Sequence, residues 1–272
     1  MNVDKFKKNK NFIFMWTIKV GFIGFSILLQ DVMFGGTETV ALTIEWAMAE
    51  LMKNPKELKK VQAELSNVVG LDRRLQDSDL KKLTYLKCTI KETLRLHPPI
   101  PFLLHETTKD AVLTGHSILA GCRRVLINVW AIGRDGKTWD EPNEFKPLRF
   151  SKDGAKDFKG CDFEFTPFGS GRRACPGMQL GLYALEMSVA ELVHCFTWEL
   201  QEGMKASEID MSDVFGLTAR VTLVAVPKEI IRVANEPSFL SIAWAQFKKK
   251  NLSMFIYLAN KSCSNPKFRL DY

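Results

Sequence analysis

The stretch FGSGRRACPG, residues 168–177, places one cysteine among three glycines, two arginines and a proline. Glycine-rich turns of this kind bring the backbone close to a phosphate, a metal or a cofactor. Pro176 suits the first turn of a helix, so Cys175 is expected at or just before a helix N-terminus, where the positive end of the helix dipole favours the thiolate. The pattern therefore predicts a turn that presents a cysteine sulfur to a ligand.

Two ligands are compatible with this turn. Read as GSGRRA, residues 169–174 satisfy the GxGxxA form of a dinucleotide fingerprint, but that motif has to follow a buried strand and open a βαβ unit. Pro167 interrupts the preceding segment, and no second strand with a terminal acid follows at the expected distance. Haem fits better, since a thiolate can ligate its iron, Gly177 leaves room for a flat ligand and Arg173 can pair with a carboxylate.

The composition is that of a globular protein. Of the 272 residues 46% are hydrophobic and 25% charged, and the net charge of +7 is scattered rather than arranged in a basic stripe, so nucleic acid is not expected as a partner. The six cysteines form no CxxC pair, which disfavours a zinc site. They are typical of free thiols in a reducing compartment.

The apolar periodicity predicts a mainly α-helical chain with small β-sheets and a loop-rich stretch at residues 131–168. The GG pair at residues 35–36 lies inside a predicted helix, where each glycine costs about 1 kcal/mol relative to alanine, so the pair needs a reason. Helices are predicted over residues 31–53, 55–70, 79–96 and 176–195, and strands within 100–130, at 196–200 and at 221–226.

The cysteine turn also matches a longer signature. FxxGxRxCxG, present as Phe168, Gly171, Arg173, Cys175 and Gly177, resembles the haem-binding signature of the cytochrome P450 family. Three further motifs resemble that family in its order along the chain, namely GGTET at 35–39, ETLR at 92–95 and PLRF at 147–150. The resemblance implies the C-terminal, haem-binding portion of the cytochrome P450 fold, incomplete, with haem b as cofactor.

The resemblance also implies roles for single residues. Cys175 is the axial ligand of the haem iron, while Glu38 and Thr39 handle protons during oxygen activation. Residues that contact the haem are Phe168, Gly169, Arg173, Gly177 and His105, the last through a propionate. A structural triad behind the haem is formed by Glu92, Arg95 and Arg149. Substrate-facing positions are Ile100, Phe102, Leu103, Leu217 and Thr218.

Longer stretches, among them LHPPIPFLLHETT and HCFTWELQEGMK, resemble the plant ferulate or coniferaldehyde 5-hydroxylase branch of the family. This implies a monooxygenase that inserts one oxygen atom of O2 into an aromatic C–H bond of a phenylpropanoid in lignin biosynthesis. The implied electron source is NADPH, through NADPH–cytochrome P450 reductase. The implied location is the cytosolic face of the endoplasmic reticulum membrane.

The resemblance covers residues 31–228. Residues 1–30 and 229–272 are not similar to the family; the first contains an apolar run at 12–29, long enough to span a bilayer, and is expected to be a membrane segment or a gene-model artefact. The resemblance leads us to expect that the N-terminal half and the membrane anchor of a complete member are not part of this sequence. The competing hypothesis is therefore a truncated, catalytically inactive fragment that binds haem weakly or not at all.

Overall fold

The computed structural model of the chain describes Gly24 and residues 29–121, 124–151, 154–158, 162–200, 204–212 and 225–230. Within these ranges the chain is mainly helical with small antiparallel sheets, as predicted. No helix in this described part is both long and apolar enough to cross a membrane. Most of the apolar run at 12–29 lies outside the described residues.

Helices are the most common regular element of the described chain. They are α1 (Thr39–Lys53), α2 (Pro55–Val68), α3 (Asp77–Leu80), α4 (Thr84–Leu96), α5 (Val129–Ile132) and α6 (Met178–Cys195), with a π-helical segment, Phe34–Glu38, leading into α1. Proline at the first position of α2 separates it from α1, because proline suits a helix start and cannot continue the preceding one.

The strands form two-stranded antiparallel sheets. They are β1 (Phe102–Glu106), β2 (Ala111–Leu113), β3 (His116–Ile118), β4 (Arg124–Asn128), β5 (Phe196–Leu200) and β6 (Ala225–Ile230). β1 pairs with β4, β2 with β3, and β5 with β6. β5 has the predicted bounds. β6 overlaps the expected segment 221–226, of which residues 221–224 lie outside the described residues, and it extends to Ile230.

The hydrophobic core lies where α1, α2, α4 and α6 meet. Fully buried aliphatic side chains from each helix fill it, including Leu51, Val61, Leu86 and Val189. Burying a side chain of this size stabilises the fold by about 1.5–3 kcal/mol. The four helices therefore form the rigid part of the molecule, on which the loops are carried.

The π-helical segment is the first departure from the predicted helix. FGGTE at residues 34–38 adopts a wider turn, and α-helix resumes at Thr39. Single π turns inside α-helices are frequently found at functional sites. A Cβ built on Gly35 or Gly36 meets no atom of the described chain within 4 Å, so internal packing does not explain the two glycines.

Helix α4 receives its N-terminal cap from another helix. Its own cap position, Leu83, makes no side-chain hydrogen bond. Instead the carboxylate of Glu64 on α2 accepts hydrogen bonds from the backbone N–H groups of Tyr85 (2.7 Å) and Leu86 (2.9 Å) and from the hydroxyl of Thr84 (3.1 Å). These are the N–H groups that a helix leaves unsatisfied at its start, and a negative charge there also suits the helix dipole.

Replacing Glu64 by glutamine is expected to lower the free energy of unfolding by about 1–2 kcal/mol, because the cap loses its charge and one acceptor. Urea unfolding monitored by circular dichroism measures this. Glu164→Gln is the matched control, since Glu164 is 49% exposed and makes a single ion pair with Lys156, a contact worth about 0–1 kcal/mol. Equal losses in the two variants would contradict the capping role.

The helix predicted over residues 79–96 is divided into α3 and α4. Asp79 caps the start of α3, because its carboxylate accepts a hydrogen bond from the backbone N–H of the cap residue Gln76 (3.0 Å), and it also accepts from both terminal nitrogens of Arg73 (2.6 and 2.9 Å). The Arg73 guanidinium, assisted by the Gln76 N–H, lowers the pKa of Asp79 to about 2. The carboxylate thus secures the loop between α2 and α4.

The depressed pKa makes this contribution to stability dependent on pH. In the unfolded chain Asp79 has its ordinary pKa of 3.8, so its stabilising effect is complete above about pH 4 and is lost as the pH falls towards about 2. Asp79→Asn is expected to be less stable than the wild type at pH 7 and equally stable near pH 2. Thermal unfolding across this range measures the difference. Asp72→Asn, an exposed carboxyl in the same loop, is expected to track the wild type throughout.

Candidate functional site

The loop at residues 168–177 has the turn that its glycines predict. Gly169 (φ 71°) and Gly171 (φ 69°) adopt the left-handed conformation that glycine favours. The backbone N–H of Cys175 donates to the carbonyl oxygen of Phe168 at 2.9 Å, which closes the loop around a short 3₁₀ turn. The side chain of Cys175 is a free thiol and is exposed.

Helix α6 begins slightly later than predicted. Its first residue is Met178 and its cap residue is Gly177, so Pro176 precedes the helix instead of opening it. Cys175 nevertheless lies just before the helix N-terminus. A Cβ built on Gly177 would lie 3.9 Å from the sulfur of Cys175, in ordinary van der Waals contact. Glycine therefore keeps the surface beside the sulfur free of a side chain.

These features fit a haem group ligated by thiolate. The sulfur is accessible, residues 171–177 are all exposed, and Arg173 extends from the same turn. The loop is also anchored, because Phe168 and Met178, on either side of Cys175, pack against the hydrophobic core. A rigid, exposed thiol beside a side-chain-free surface is what a flat metal cofactor needs.

The π-helical segment and the start of α1 form a second candidate element. The hydroxyl of Thr39 donates to the carbonyl oxygen of Gly35 at 2.6 Å, which leaves the hydroxyl oxygen able to accept a hydrogen bond from a ligand. Glu38 and Thr39 are half-buried. Val40, the next residue, packs against the same core as Phe168, so one scaffold carries this element and the cysteine loop.

The structure brings Glu92, Arg95 and Arg149 together. The two carboxylate oxygens of Glu92 accept from Nε and Nη2 of Arg95, both at 2.8 Å, and one of them also accepts from Nε of Arg149 at 2.9 Å. The backbone N–H of Lys146 adds a further bond to Glu92 at 2.8 Å. The side chains of Glu92 and Arg95 are fully buried, and that of Arg149 is 12% exposed.

The two arginines of this triad hold the loop-rich stretch through its backbone. Arg95 donates to the carbonyl oxygens of residues 133, 142 and 144, and Arg149 to those of residues 140, 141 and 144. Loops have few hydrogen bonds of their own, so charged donors of this kind determine their path. The triad thereby fixes residues 133–149 against α4.

A group of aromatic rings, the aromatic cluster, connects the triad to the cysteine loop. The guanidinium of Arg95 lies 5.2 Å from the ring centre of Trp139. Neighbouring rings then follow in contact, at centroid distances of 5.0–6.1 Å, as far as Phe168 in the cysteine loop. The members are Trp139, Phe150, Phe158, Phe165 and Phe168. The motif spacing alone did not indicate this cluster, although the aromatic residues of the loop-rich stretch were a signal.

β1 carries several of the predicted contact residues. Leu103 and His105 share one face of the strand, and Leu103 Cδ1 lies 4.0 Å from the position that a Cβ on Gly169 would take. That face is therefore directed towards the cysteine loop. Phe102 lies on the opposite face, because successive strand residues alternate. The structure thus separates Phe102 from Leu103, two residues expected to face one substrate; Ile100, in the preceding turn, is 38% exposed.

The remaining substrate-facing predictions, Leu217 and Thr218, lie outside the described residues. One residue of structural importance was not identified from sequence. A Cβ on Gly133 would overlap the carbonyl oxygen of Arg95, so only glycine fits there. No local signal marked Gly133, since its neighbour is 38 residues away in the chain.

Comparison with known proteins agrees with this geometry. A model of the family described as Cytochrome P450 matches residues 25–225. The chain belongs to the cytochrome P450 family. Cytochrome P450 84A1 of Arabidopsis thaliana is 62% identical over 202 residues, which are 74% of this chain and 39% of that protein. Geraniol 8-hydroxylase of Catharanthus roseus is 43% identical over 203 residues, which are 74% of this chain and 41% of that protein.

Solved cytochrome P450 structures share the fold. A zebra fish cytochrome P450 with abiraterone has a TM-score of 0.64 and 32% identity, over 73% of this chain and 47% of that chain. A second zebra fish structure, with progesterone, has a TM-score of 0.62 and 33% identity, over 73% and 44%. The predicted cytochrome P450 fold is confirmed. This chain spans about two fifths of the length of the plant relatives that it matches.

Proposed function

We propose that this chain provides the haem-thiolate centre of a cytochrome P450 monooxygenase that hydroxylates the aromatic ring of a phenylpropanoid. The exposed thiol of Cys175, in an anchored turn free of side chains beside the sulfur, carries this proposal. When bound, haem b supplies the one-electron and O2 chemistry. The protein's part is to hold and orient the haem and the substrate and to move protons.

Cys175 would bind the iron as the thiolate, with Gly177 leaving the adjoining surface open. Arg173 on the loop and His105 on β1 are basic and exposed, and both would pair with the carboxylates of the haem. Phe168 and Gly169 would lie against the ring. The anchoring of the loop to the core keeps the sulfur in place when the ligand binds.

Glu38, at the end of the π-helical segment, and Thr39, at the start of α1, would transfer protons. With its own proton donated to the carbonyl oxygen of Gly35, the Thr39 hydroxyl oxygen is oriented to accept a hydrogen bond. Glu38, the adjacent residue, would act as the acid that resupplies the proton. The two glycines of the π-helical segment would then serve the ligand, which accounts for their lack of internal contacts.

The substrate proposal is supported by apolar side chains and by the resemblance of longer sequence stretches to the plant 5-hydroxylase branch of the family. Leu103, directed towards the cysteine loop, and Ile100 would contact a planar ring, with Leu217 and Thr218 completing the contact. Phe102 is the weaker candidate because it lies on the other face of β1. A guaiacyl phenylpropanoid, oxidised at the position 5 carbon during lignin biosynthesis, is the proposed substrate.

The proposed partners follow from the reaction. Monooxygenation consumes O2 and two electrons, which NADPH–cytochrome P450 reductase would deliver from NADPH. The proposed location is the cytosolic face of the endoplasmic reticulum membrane, which the resemblance to plant members of the family implies.

Reduced, carbon monoxide-bound absorption spectra of the purified chain, loaded with haem, test the proposal. A Soret band at the position of thiolate-ligated haem is the expected result. Absence of the band in a folded chain would overturn the proposal and support the inactive fragment. Conversion of ferulate or coniferaldehyde with added reductase then tests the substrate: a band without 5-hydroxylated product would reject the phenylpropanoid and keep the haem site.

A further inference from the structure

A buried polar pair joins α1 to the end of α4. Nε2 of His97 lies 2.7 Å from Oε1 of Glu50, and the two side chains are only 10% and 8% exposed. The ring of Trp46, which is fully buried, stacks on the His97 ring with centroids 3.7 Å apart and planes 9° apart. None of these three residues belongs to the proposed haem or substrate contacts.

The contact restrains the His97 ring at one face and at its Nε2 edge. Trp46 and Glu50 are four residues apart on α1 and so lie on one helix face, one against the plane of the ring and the other at its edge. The backbone N–H of His97 donates to the carbonyl oxygen of Thr93 at 2.7 Å and closes the end of α4. The second carboxylate oxygen of Glu50 accepts from the amide of Asn54 at 3.1 Å.

The position of this contact on α1 matters because of the π-helical segment. A π turn holds one residue more than an α turn, so reverting Phe34–Glu38 to α-helix would shift the two flanking parts of the helix by one residue, about 100° in rotation and about 1.5 Å along the axis. Once α1, which begins at Thr39, is held by its contact with α4, that shift has to fall on the residues before Thr39. A hold on α1 therefore determines the direction of Thr39.

We propose that Glu50 and His97, with Trp46, are positioning residues that lock the register of α1 against α4 and so fix the direction of Thr39, which follows the π-helical segment. What Thr39 does there rests on the proposed function. The register lock itself does not, since it concerns contacts within the chain.

Replacing Glu50 and His97 by apolar residues tests the register of α1 separately from the stability of the fold. Exchanging a buried ionic pair for apolar side chains is often neutral for stability, whereas breaking one partner alone is costly. A Glu50→Leu, His97→Leu double variant can therefore retain stability while losing the directional contact. Thr93→Val is the matched control, because Thr93 is equally buried on α4 but its hydroxyl bonds within that helix, to the carbonyl oxygen of Thr89.

Amide hydrogen exchange provides the readout and needs no activity. In the double variant the amides of residues 39–43 are expected to exchange about tenfold faster than in the wild type, while the amides of α2 keep their rates. In Thr93→Val the exchange of residues 39–43 is expected to change only in proportion to global stability. Wild-type exchange at residues 39–43 in the folded double variant would overturn the proposal.

The single variant Glu50→Gln, which preserves shape, keeps the test open if the double variant does not fold. Selective acceleration at residues 39–43 supports the register lock, and uniform acceleration across α1, α2 and α4 contradicts it. The outcome is separable from that of the proposed function. A wild-type chain without a thiolate-haem band refutes the haem proposal and leaves the exchange result unaffected.

Discussion

Glu92→Gln is expected to lower the free energy of unfolding by about 3–5 kcal/mol, because removing one partner of a buried ion pair leaves the other charge uncompensated. Arg95, fully buried, would keep its bonds to backbone carbonyls but lose its counter-charge. The new amide group would also turn a donor towards Arg95, Arg149 or the Lys146 N–H, all of which are donors. Such a loss is a large part of the total stability of an ordinary domain.

Chemical denaturation of the chain, with and without haem, measures this effect. Glu141→Gln is the matched control, because Glu141 is in the same loop-rich stretch and pairs with Lys146, but its side chain is 65% exposed. A surface pair of that kind is worth about 0–1 kcal/mol. If Glu92→Gln unfolded at the same denaturant concentration as Glu141→Gln, the triad would not be the structural centre of the loop-rich stretch.

Cys175→Ala is expected to abolish the Soret band of thiolate-ligated, carbon monoxide-bound haem, because the variant has no sulfur at the axial position. Its effect on the stability of the haem-free chain is expected to stay within about 0.5 kcal/mol, since the side chain is exposed. Absorption spectroscopy and denaturation of the same preparation separate the two quantities. If the Soret band is lost and the free energy of unfolding is unchanged, the sulfur of Cys175 is needed to ligate haem and not to fold the chain.

Cys195→Ala is the control for this substitution. Cys195 is another free thiol, half-buried at the end of α6, and burial raises the pKa of its thiol. A buried, protonated thiol is a poor metal ligand, so this variant is expected to retain the band in full. Retention of the band in Cys175→Ala, or its loss in Cys195→Ala alone, would reassign the axial ligand.

Much of the fold followed from local patterns. The apolar spacing placed α1, α2, α6 and β5 close to their observed bounds, because side-chain periodicity reports directly on the face that a helix or strand buries. The predictions differed inside two predicted helices. The helix expected over 79–96 is interrupted between Leu80 and Thr84, and Asp79, which accepts hydrogen bonds from Arg73 and Gln76, belongs to the separate short helix α3. The GG pair of residues 35–36 lies in a π turn where an α turn was predicted.

In the candidate site, too, some features were predictable from local sequence and others depended on the tertiary structure. The glycines and the helix start around Cys175 act over a few residues, so the turn and its exposed sulfur could be predicted from residues 168–177. The spacing of Glu92 and Arg95 indicated a contact, but such pairs on exposed helices contribute little. Whether this pair was buried depended on residues 133–149 folding over it, which no three-residue spacing reports.

The sequence by itself determined the family motifs, the order of helices and strands and the ligand turn, because glycine conformation, helix ends and apolar periodicity are local properties. Only the tertiary structure decided which polar residues contact each other and how much each contact contributes to stability. Glu64 caps a helix that starts 20 residues later, Glu50 binds His97 across 47 residues, and Glu92 binds Arg149 across 57. Desolvation, which sets the energy of each contact, arises only when distant segments exclude water together.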